Sequence, residues 1–325
     1  MVRFETEVVR VGMVEGGKWE VKWRALEKRV DADEVFDAVV ICNGHYTERR
    51  LAFIPGIDEW PGKQMHSHNY HVPEPFRDQV VILIGSSASA VDISGDIAGV
   101  AKEVHVASRS VADQTLGKQP GYENIWLHSM VKALITVAFQ DGSVVRAEVI
   151  MNCTGYKYHF PFLETNGTVT VDDNRVGPLY QHVFPPALAP WLSFVGLPWK
   201  VIPFPLFEYQ SKWIAGVLSG RIPLPSKEKM MNSVEAFYTK LGASGIPKHY
   251  THNTIAYQFE YNDCLAGQCG CAGTEEWRKQ MFIESSKSRM IKPDTFRDEW
   301  EYHEWILKAH EDFQAVCGHL SISEL

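Results

Sequence analysis

Val80-Val81-Ile82-Leu83-Ile84-Gly85-Ser86-Ser87-Ala88-Ser89-Ala90 is the stretch on which the fold turns. Five consecutive apolar residues suit a strand buried on both faces. A loop of small residues follows, then a helical pattern over about residues 89–100, then Glu103-Val104-His105-Val106-Ala107-Ser108 as the next strand. Strand, loop, helix and strand make one βαβ unit, the building block of a doubly wound parallel sheet. In that setting the loop fits the dinucleotide-binding pattern G-x-G-x-x-G/A. Gly85 takes the first position, where the chain turns tightly, and Ala90 the third, where helix packs on strand. Ser87 stands where a second glycine admits the pyrophosphate; its Cβ is a departure, and its hydroxyl is a donor for a phosphate oxygen. Ser86, Ala88 and Ser89 complete a cradle at a helix N-terminus, whose unpaired N–H groups and dipole favour an anion. The second strand ends in Ser108-Arg109-Ser110. An NAD-binding protein carries an acidic residue there for the ribose hydroxyls, whereas an arginine suits the 2′-phosphate of NADP. Gly85 to Ala90, with Ser108 and Arg109, are therefore the candidate NADP contacts. A chance glycine loop in an ordinary α/β domain is the plainer reading of the same residues.

Upstream, residues 2–44 read as a β-meander with a turn at Gly16-Gly17, and Trp19-Glu20-Val21-Lys22-Trp23 alternates as a half-buried strand should. Asp37-Ala38-Val39-Val40-Ile41-Cys42-Asn43-Gly44 is nearly all apolar and is expected to be a second strand buried on both faces. Residues 45–78, rich in proline and histidine, read as a connection between domains. Downstream, strands are expected around the Asp141-Gly142 turn, at Val149-Ile150-Met151-Asn152-Cys153 and at Trp191-Leu192-Ser193-Phe194-Val195. The remainder is helical. Residues 207–218 form a largely apolar helix, Ser226 caps one that Gly242 stops, Thr274 caps a third, and a fourth covers about residues 298–316.

Hydrophobic residues make up 45% of the 325 and charged ones 22%, ordinary values for a globular protein with room for two domain-sized cores. A net charge of −8 offers no basic face for nucleic acid. The longest apolar run, 80–84, is strand-sized, so no membrane anchor is expected. Six scattered cysteines without a signal peptide point to a reduced, cytoplasmic protein.

Trp60-Pro61-Gly62-Lys63-Gln64-Met65-His66-Ser67-His68-Asn69-Tyr70 precedes the nucleotide loop by about twenty residues. It resembles the identifying motif of flavin-containing monooxygenases, F-x-G-x-x-x-H-x-x-x-[YF], with Gly62, His66 and Tyr70 matching and Trp60 in place of phenylalanine. A metal site at His66, His68 and His71 would need a carboxylate or cysteine to complete its ligand set, and the metal reading is set aside on that ground. The resemblance continues through Val40-Ile41-Cys42-Asn43-Gly44-His45-Tyr46, through Asn152-Cys153-Thr154-Gly155-Tyr156, which is similar to the family's A-T-G-Y motif, and through Phe207-Glu208-Tyr209-Gln210-Ser211-Lys212-Trp213. Cys269-Gly270-Cys271 with Glu275-Glu276-Trp277 is similar to plant members, and the likeness runs toward plant S-oxygenases of the glucosinolate type.

This resemblance implies an α/β fold of two Rossmann-like domains of the FAD/NAD(P)-binding type. The expected segments are 1–70 (FAD domain and linker), 71–148 (NADP domain) and 149–325 (return to the FAD domain, then helices). It implies FAD and NADPH as cofactors, and a small nucleophile (a thioether sulfur or an amine nitrogen) together with O2 as substrates. It also implies Val8, Gly44 and Gln210 as flavin contacts; no side chain is assigned a catalytic role. The family opens with a G-x-G-x-x-G loop and carries an asparagine near the flavin, and neither is found here. Residues 130–145 are shorter than in the family. The FAD domain is therefore expected to be incomplete at its N-terminus and to hold FAD weakly. Two further readings stay open: a non-catalytic NADP-binding remnant, and a disulfide reductase-like flavoprotein, for which Cys264 and Cys269 have a C-x4-C spacing.

Overall fold

The computed structural model describes residues 2–109, 117–134, 137–292, 295–299 and 302–317. The chain parts into two compact units, one of Met1–Gly44 with Tyr158–Leu325, the other of His45–Lys157. The segments read from sequence met at 70 and 148 instead. The difference lies in residues 45–70, which supply the Lys63–His66 strand to the second unit's sheet, and in Tyr156–Lys157, which pairs with Glu48–Arg49.

The second unit is built on a six-stranded sheet. Its order is Lys63–His66, Val149–Asn152, Val80–Ile84, Glu103–Ala107, Ile125–His128 and Gly117–Lys118. The first five are parallel and the last is antiparallel. Val80–Ile84 lies at the centre, every residue buried, because its two faces meet two cores. Val81 and Leu83 pack with Ala90, Ile93 and Ile97 of the Ala88–Ala98 helix. Ile82 and Ile84 point the other way, into a cluster with Trp60, Val137 and Phe139. That second face is covered in part by a small antiparallel sheet of Val131–Leu134, Val137–Phe139 and Val144–Val145. A strand covered on both sides has no use for polar alternation, which is why it reads as an unbroken apolar run.

In the first unit, Thr6–Met13, Trp19–Ala25 and Val30–Phe36 form the expected meander, with Leu163–Glu164 parallel to the first of them. Val39–Ile41 pairs in parallel with Leu192–Phe194 in a two-stranded sheet. The expectation that this strand is buried on both faces fails, since Val40 is 39% exposed and only Ile41 is buried. Among the described residues it has one hydrogen-bonded neighbour, and the meander lies in another sheet.

Five helices follow: Pro203–Leu218, Lys227–Ala243, Gln258–Cys269, Glu276–Ile291 and His303–Cys317. Pro203 begins the first one turn earlier than its apolar run suggests; proline suits a first helical turn, where an N–H has no partner to lose. Ser226 caps the second as expected, its hydroxyl accepting from the Lys229 N–H. Thr274 does not cap the fourth. Glu275 holds that position, and Thr274 is held by Asp263, whose carboxylate accepts its backbone N–H at 2.8 Å. Among the described residues no helix is long and apolar enough to cross a membrane.

Candidate functional site

The loop read as an NADP cradle lies at the carboxyl ends of the parallel strands, where ligands of open α/β sheets bind. Gly85 has φ +118°, and its N–H donates to the Ala107 carbonyl at 2.8 Å. A Cβ added there would sit 2.5 Å from the carbonyl oxygen of Cys153, so the close approach of two chain segments itself demands glycine. Ser86 to Ser89 are exposed while Ala90, in the first turn of the helix, is wholly buried. Ser87 is the N-cap residue, yet its hydroxyl caps no amide. The N–H groups of Ala88 and Ser89 have no backbone acceptor among the described residues. An exposed hydroxyl and uncommitted amides at the start of an eleven-residue helix are what a phosphate requires. Ser108 is buried, its Oγ 2.6 Å from Ser86 Oγ, which ties the loop to the next strand end; Arg109, one residue on, is exposed. The residues present thus fit an NADP pyrophosphate at the loop and a 2′-phosphate at Arg109.

The Trp60–Tyr70 motif ties its strand to the return segment at Gly155 and to the Ala88–Ala98 helix. Trp60 is buried, and a Cβ on Gly62 would lie 2.2 Å from its ring, so glycine lets the indole lie across the chain. His66 is also buried. Its Nδ1 accepts the His68 N–H at 3.0 Å, so Nε2 carries the proton and donates to the Gly155 carbonyl at 3.0 Å. Burial holds the ring below its ordinary pKa and therefore neutral. Both nitrogens are engaged, which leaves His66 no lone pair for a metal. Tyr70 donates its hydroxyl to Asp96 of the Ala88–Ala98 helix, and burial first, then Asp96, raises the phenol's pKa. The return motif is fixed in turn, with Asn152 Oδ1 accepting from Ala52 N at 3.1 Å and Thr154 donating to the Arg50 carbonyl. His66→Ala is expected to lower stability by about 2 kcal/mol, because it removes two hydrogen bonds and empties a buried site. An unchanged urea midpoint would remove this role.

The flavin candidates lie in the first unit. Val8 is 42% exposed, beside an irregularity in strand pairing between Val8 and Arg10. Gly44 follows the Val39–Ile41 strand at φ +73°, exposed, with nothing within 4 Å of where a Cβ would stand. Both positions leave room for a flat ring. Gln210 is different. It is wholly buried, its Oε1 accepting from Gly196 N at 2.8 Å and its Nε2 donating to Tyr261 Oη at 2.9 Å. The Tyr261 hydroxyl donates onward to the Gln181 carbonyl. Gln210 therefore joins two loops to a helix, and any influence on a ligand passes through the Gly196 loop.

Cys264 and Cys269, the spacing that suggested a disulfide reductase, lie on one helix. Five residues turn the side chain about 140° around the axis, so the two thiols face different ways. Sequence reading did not find Asp96 as the partner of Tyr70, nor the Gly85–Cys153 contact. Both join residues far apart in sequence with no local pattern to announce them.

Comparison with known proteins gives the family and the fold. The flavin-binding monooxygenase-like family model matches residues 1–119 and 122–275. Flavin-containing monooxygenase FMO GS-OX-like 4 of Arabidopsis thaliana is 62% identical over 319 residues, 96% of this chain and 71% of the relative. FMO GS-OX5 of the same plant is 56% identical over 319 residues, 96% of this chain and 68% of its own length. The structure of S-allyl-L-cysteine S-oxygenase from Allium sativum superposes with a TM-score of 0.92 at 62% identity, over 97% of this chain and 72% of that one. Tmm from Pelagibacter, at 24% identity and a TM-score of 0.77 over 90% of this chain and 66% of that one, shares the fold.

Proposed function

Because this chain belongs to the flavin-binding monooxygenase-like family, we propose that it uses NADPH and O2 to place one oxygen atom on the thioether sulfur of a small molecule. The observation that carries the choice of sulfur is the 62% identity to a garlic enzyme named for a thioether amino acid. Amine nitrogen is the second nucleophile the family resemblance allows. FAD, when bound, supplies the oxygen chemistry with electrons from NADPH. The protein's share is to bind, orient and exclude water. Ser87, the Ala88 and Ser89 amides and the helix dipole would hold the pyrophosphate, Arg109 would pair with the 2′-phosphate, and the Ser86–Ser108 contact would fix the spacing between them. Val8 and Gly44 would border the flavin. We also place the protein in the cytoplasm, supported by the free thiols of Cys42, Cys153, Cys264, Cys269 and Cys271.

The test is NADPH oxidation by the FAD-loaded protein with S-allyl-L-cysteine and with a tertiary amine, reading sulfoxide and N-oxide by mass spectrometry. Sulfoxide in step with NADPH loss supports the reading. N-oxide alone would move it to amines, and NADPH loss without either product would sink it. Arg109→Ala should weaken NADPH binding about 10- to 100-fold, the worth of a lost charge-assisted bond, and leave NADH unchanged. Equal losses for both nucleotides would take the 2′-phosphate away from Arg109.

A further inference from the structure

Cys269 ends the Gln258–Cys269 helix, and Gly270 caps it in the left-handed region at φ 67° and ψ 30°. The cap is fixed, with Cys271 N donating to the Ala266 carbonyl at 3.0 Å. A residue with helical dihedrals of either hand sets its two neighbours' Cα atoms about 5.4 Å apart, from the radius and rise of the helix. That spacing lies within the range that disulfides span. Both cysteines are half-buried and pack against the same cluster as Tyr209, Trp213 and Leu265. Lys212 lies within electrostatic reach of both thiols and Arg221 of Cys269. Burial first, then the adjacent Cys271, holds the Cys269 thiol above its ordinary pKa, and the two cations oppose that rise. A partly exposed, electropositive setting is what separates reactive thiols from inert ones. Cys153 shows the contrast: it is buried, and burial pushes its thiol up to about 12.

We propose that Cys269 and Cys271 are a modification site, a dithiol that peroxide closes to a reversible disulfide across Gly270. One thiolate attacks an oxygen of hydrogen peroxide, the O–O bond breaks, and hydroxide leaves and is protonated to water. The resulting sulfenic acid is displaced by the second thiol, which forms the S–S bond and releases a second water. Two thiols and one peroxide thus give one disulfide and two waters. The disulfide would stiffen the turn whose Ala272 carbonyl accepts the Tyr209 hydroxyl at 3.2 Å, and so bear on the Pro203–Leu218 helix.

The experiment treats the whole chain with one equivalent of hydrogen peroxide, alkylates remaining thiols and maps the peptides by mass. The expected result is a Cys269–Cys271 peptide that has lost both alkylation sites and about two mass units, with both restored by dithiothreitol. Cys42 and Cys264, both exposed, should stay alkylatable at that dose. Cys271→Ser should leave Cys269 either unreacted or adding oxygen stepwise, without the two-unit loss. The proposal is overturned if both thiols stay alkylatable while Cys42 or Cys264 oxidises. It is equally overturned if Cys269 and Cys271 each go to sulfinic acid in the unaltered chain.

Discussion

Gly85→Ala is expected to destabilise the protein by about 4 kcal/mol, joining the cost of a positive-φ backbone to that of overpacking, and to abolish saturable NADPH binding. The new methyl group would meet the Cys153 carbonyl oxygen at 2.5 Å on a backbone held at φ +118°. Neither partner can step aside. Cys153 N donates to the Ile84 carbonyl and Gly85 N to the Ala107 carbonyl, both at 2.8 Å, so the loop is pinned to strands on either side. Relief must come from moving the loop, and the loop is the proposed phosphate cradle. Gly142→Ala is the control. It too has positive φ, +87°, but nothing lies within 4 Å of its added Cβ. It should cost about 1 kcal/mol, from backbone preference alone. Urea unfolding of both variants with NADPH titration by fluorescence decides the matter. Equal losses at the two sites, or normal NADPH affinity in Gly85→Ala, would show that the contact with Cys153 does not govern the loop.

Gly85 and its neighbours were legible in the sequence because everything the cradle needs is local: a turn, small residues and a helix start within six positions. The strand before them was legible for a related reason, since burial on both faces leaves an unbroken apolar run. The same run at Val39–Ile41 misled, because apolar residues show that a strand seeks cover and not how many neighbours it obtains. Val40, 39% exposed, pays no heed to its sequence. The motif from Trp60 to Tyr70 was recognisable, but its work was not. Nothing near Tyr70 announces Asp96, and nothing near His66 announces the Gly155 carbonyl. Gln210 shows the same limit on the flavin side, where a residue chosen by likeness proves to have both ends of its amide engaged by Gly196 and Tyr261. Long-range polar pairs follow from the fold, so they can be read only after it.

Each unit also buries a pair of histidines that no pattern marked, and together they predict a loss of stability on mild acidification. In the first unit His252 Nε2 accepts the Val176 N–H at 3.1 Å, so the His252 proton is on Nδ1 and donates to His182 Nδ1 at 3.0 Å. His182 must then carry its own proton on Nε2, which faces the Tyr257 hydroxyl at 3.3 Å. Phe237 and Tyr261 complete the ring contacts of His182, and no carboxylate is among these neighbours. A second proton on His182 would oppose the N–H of His252, and burial pushes its pKa down to about 4. In the second unit His105 Nδ1 and His128 Nε2 stand 2.8 Å apart, and Phe139 stacks on His128. Burial, then His105, pushes His128 down to about 4 against the opposing pull of Asp141, and burial lowers His105 as well. Glu103, 3.2 Å from His105, is the other carboxylate at this pair. The sign follows from linkage. An unfolded histidine takes a proton near pH 6.5, while folded His128 and His182 refuse it until about pH 4, so the unfolded chain binds more protons between those values. Stability is full above pH 6.5 and falls as pH drops toward 4. The loss from pH 7 to pH 5 should be about 2 kcal/mol for each such histidine. Urea midpoints at the two pH values measure it, and His182→Gln, which cannot titrate, should shrink the first unit's share. If the midpoint moves less than the scatter of the measurement, or if His182→Gln keeps the full acid sensitivity, the buried pair is not its source.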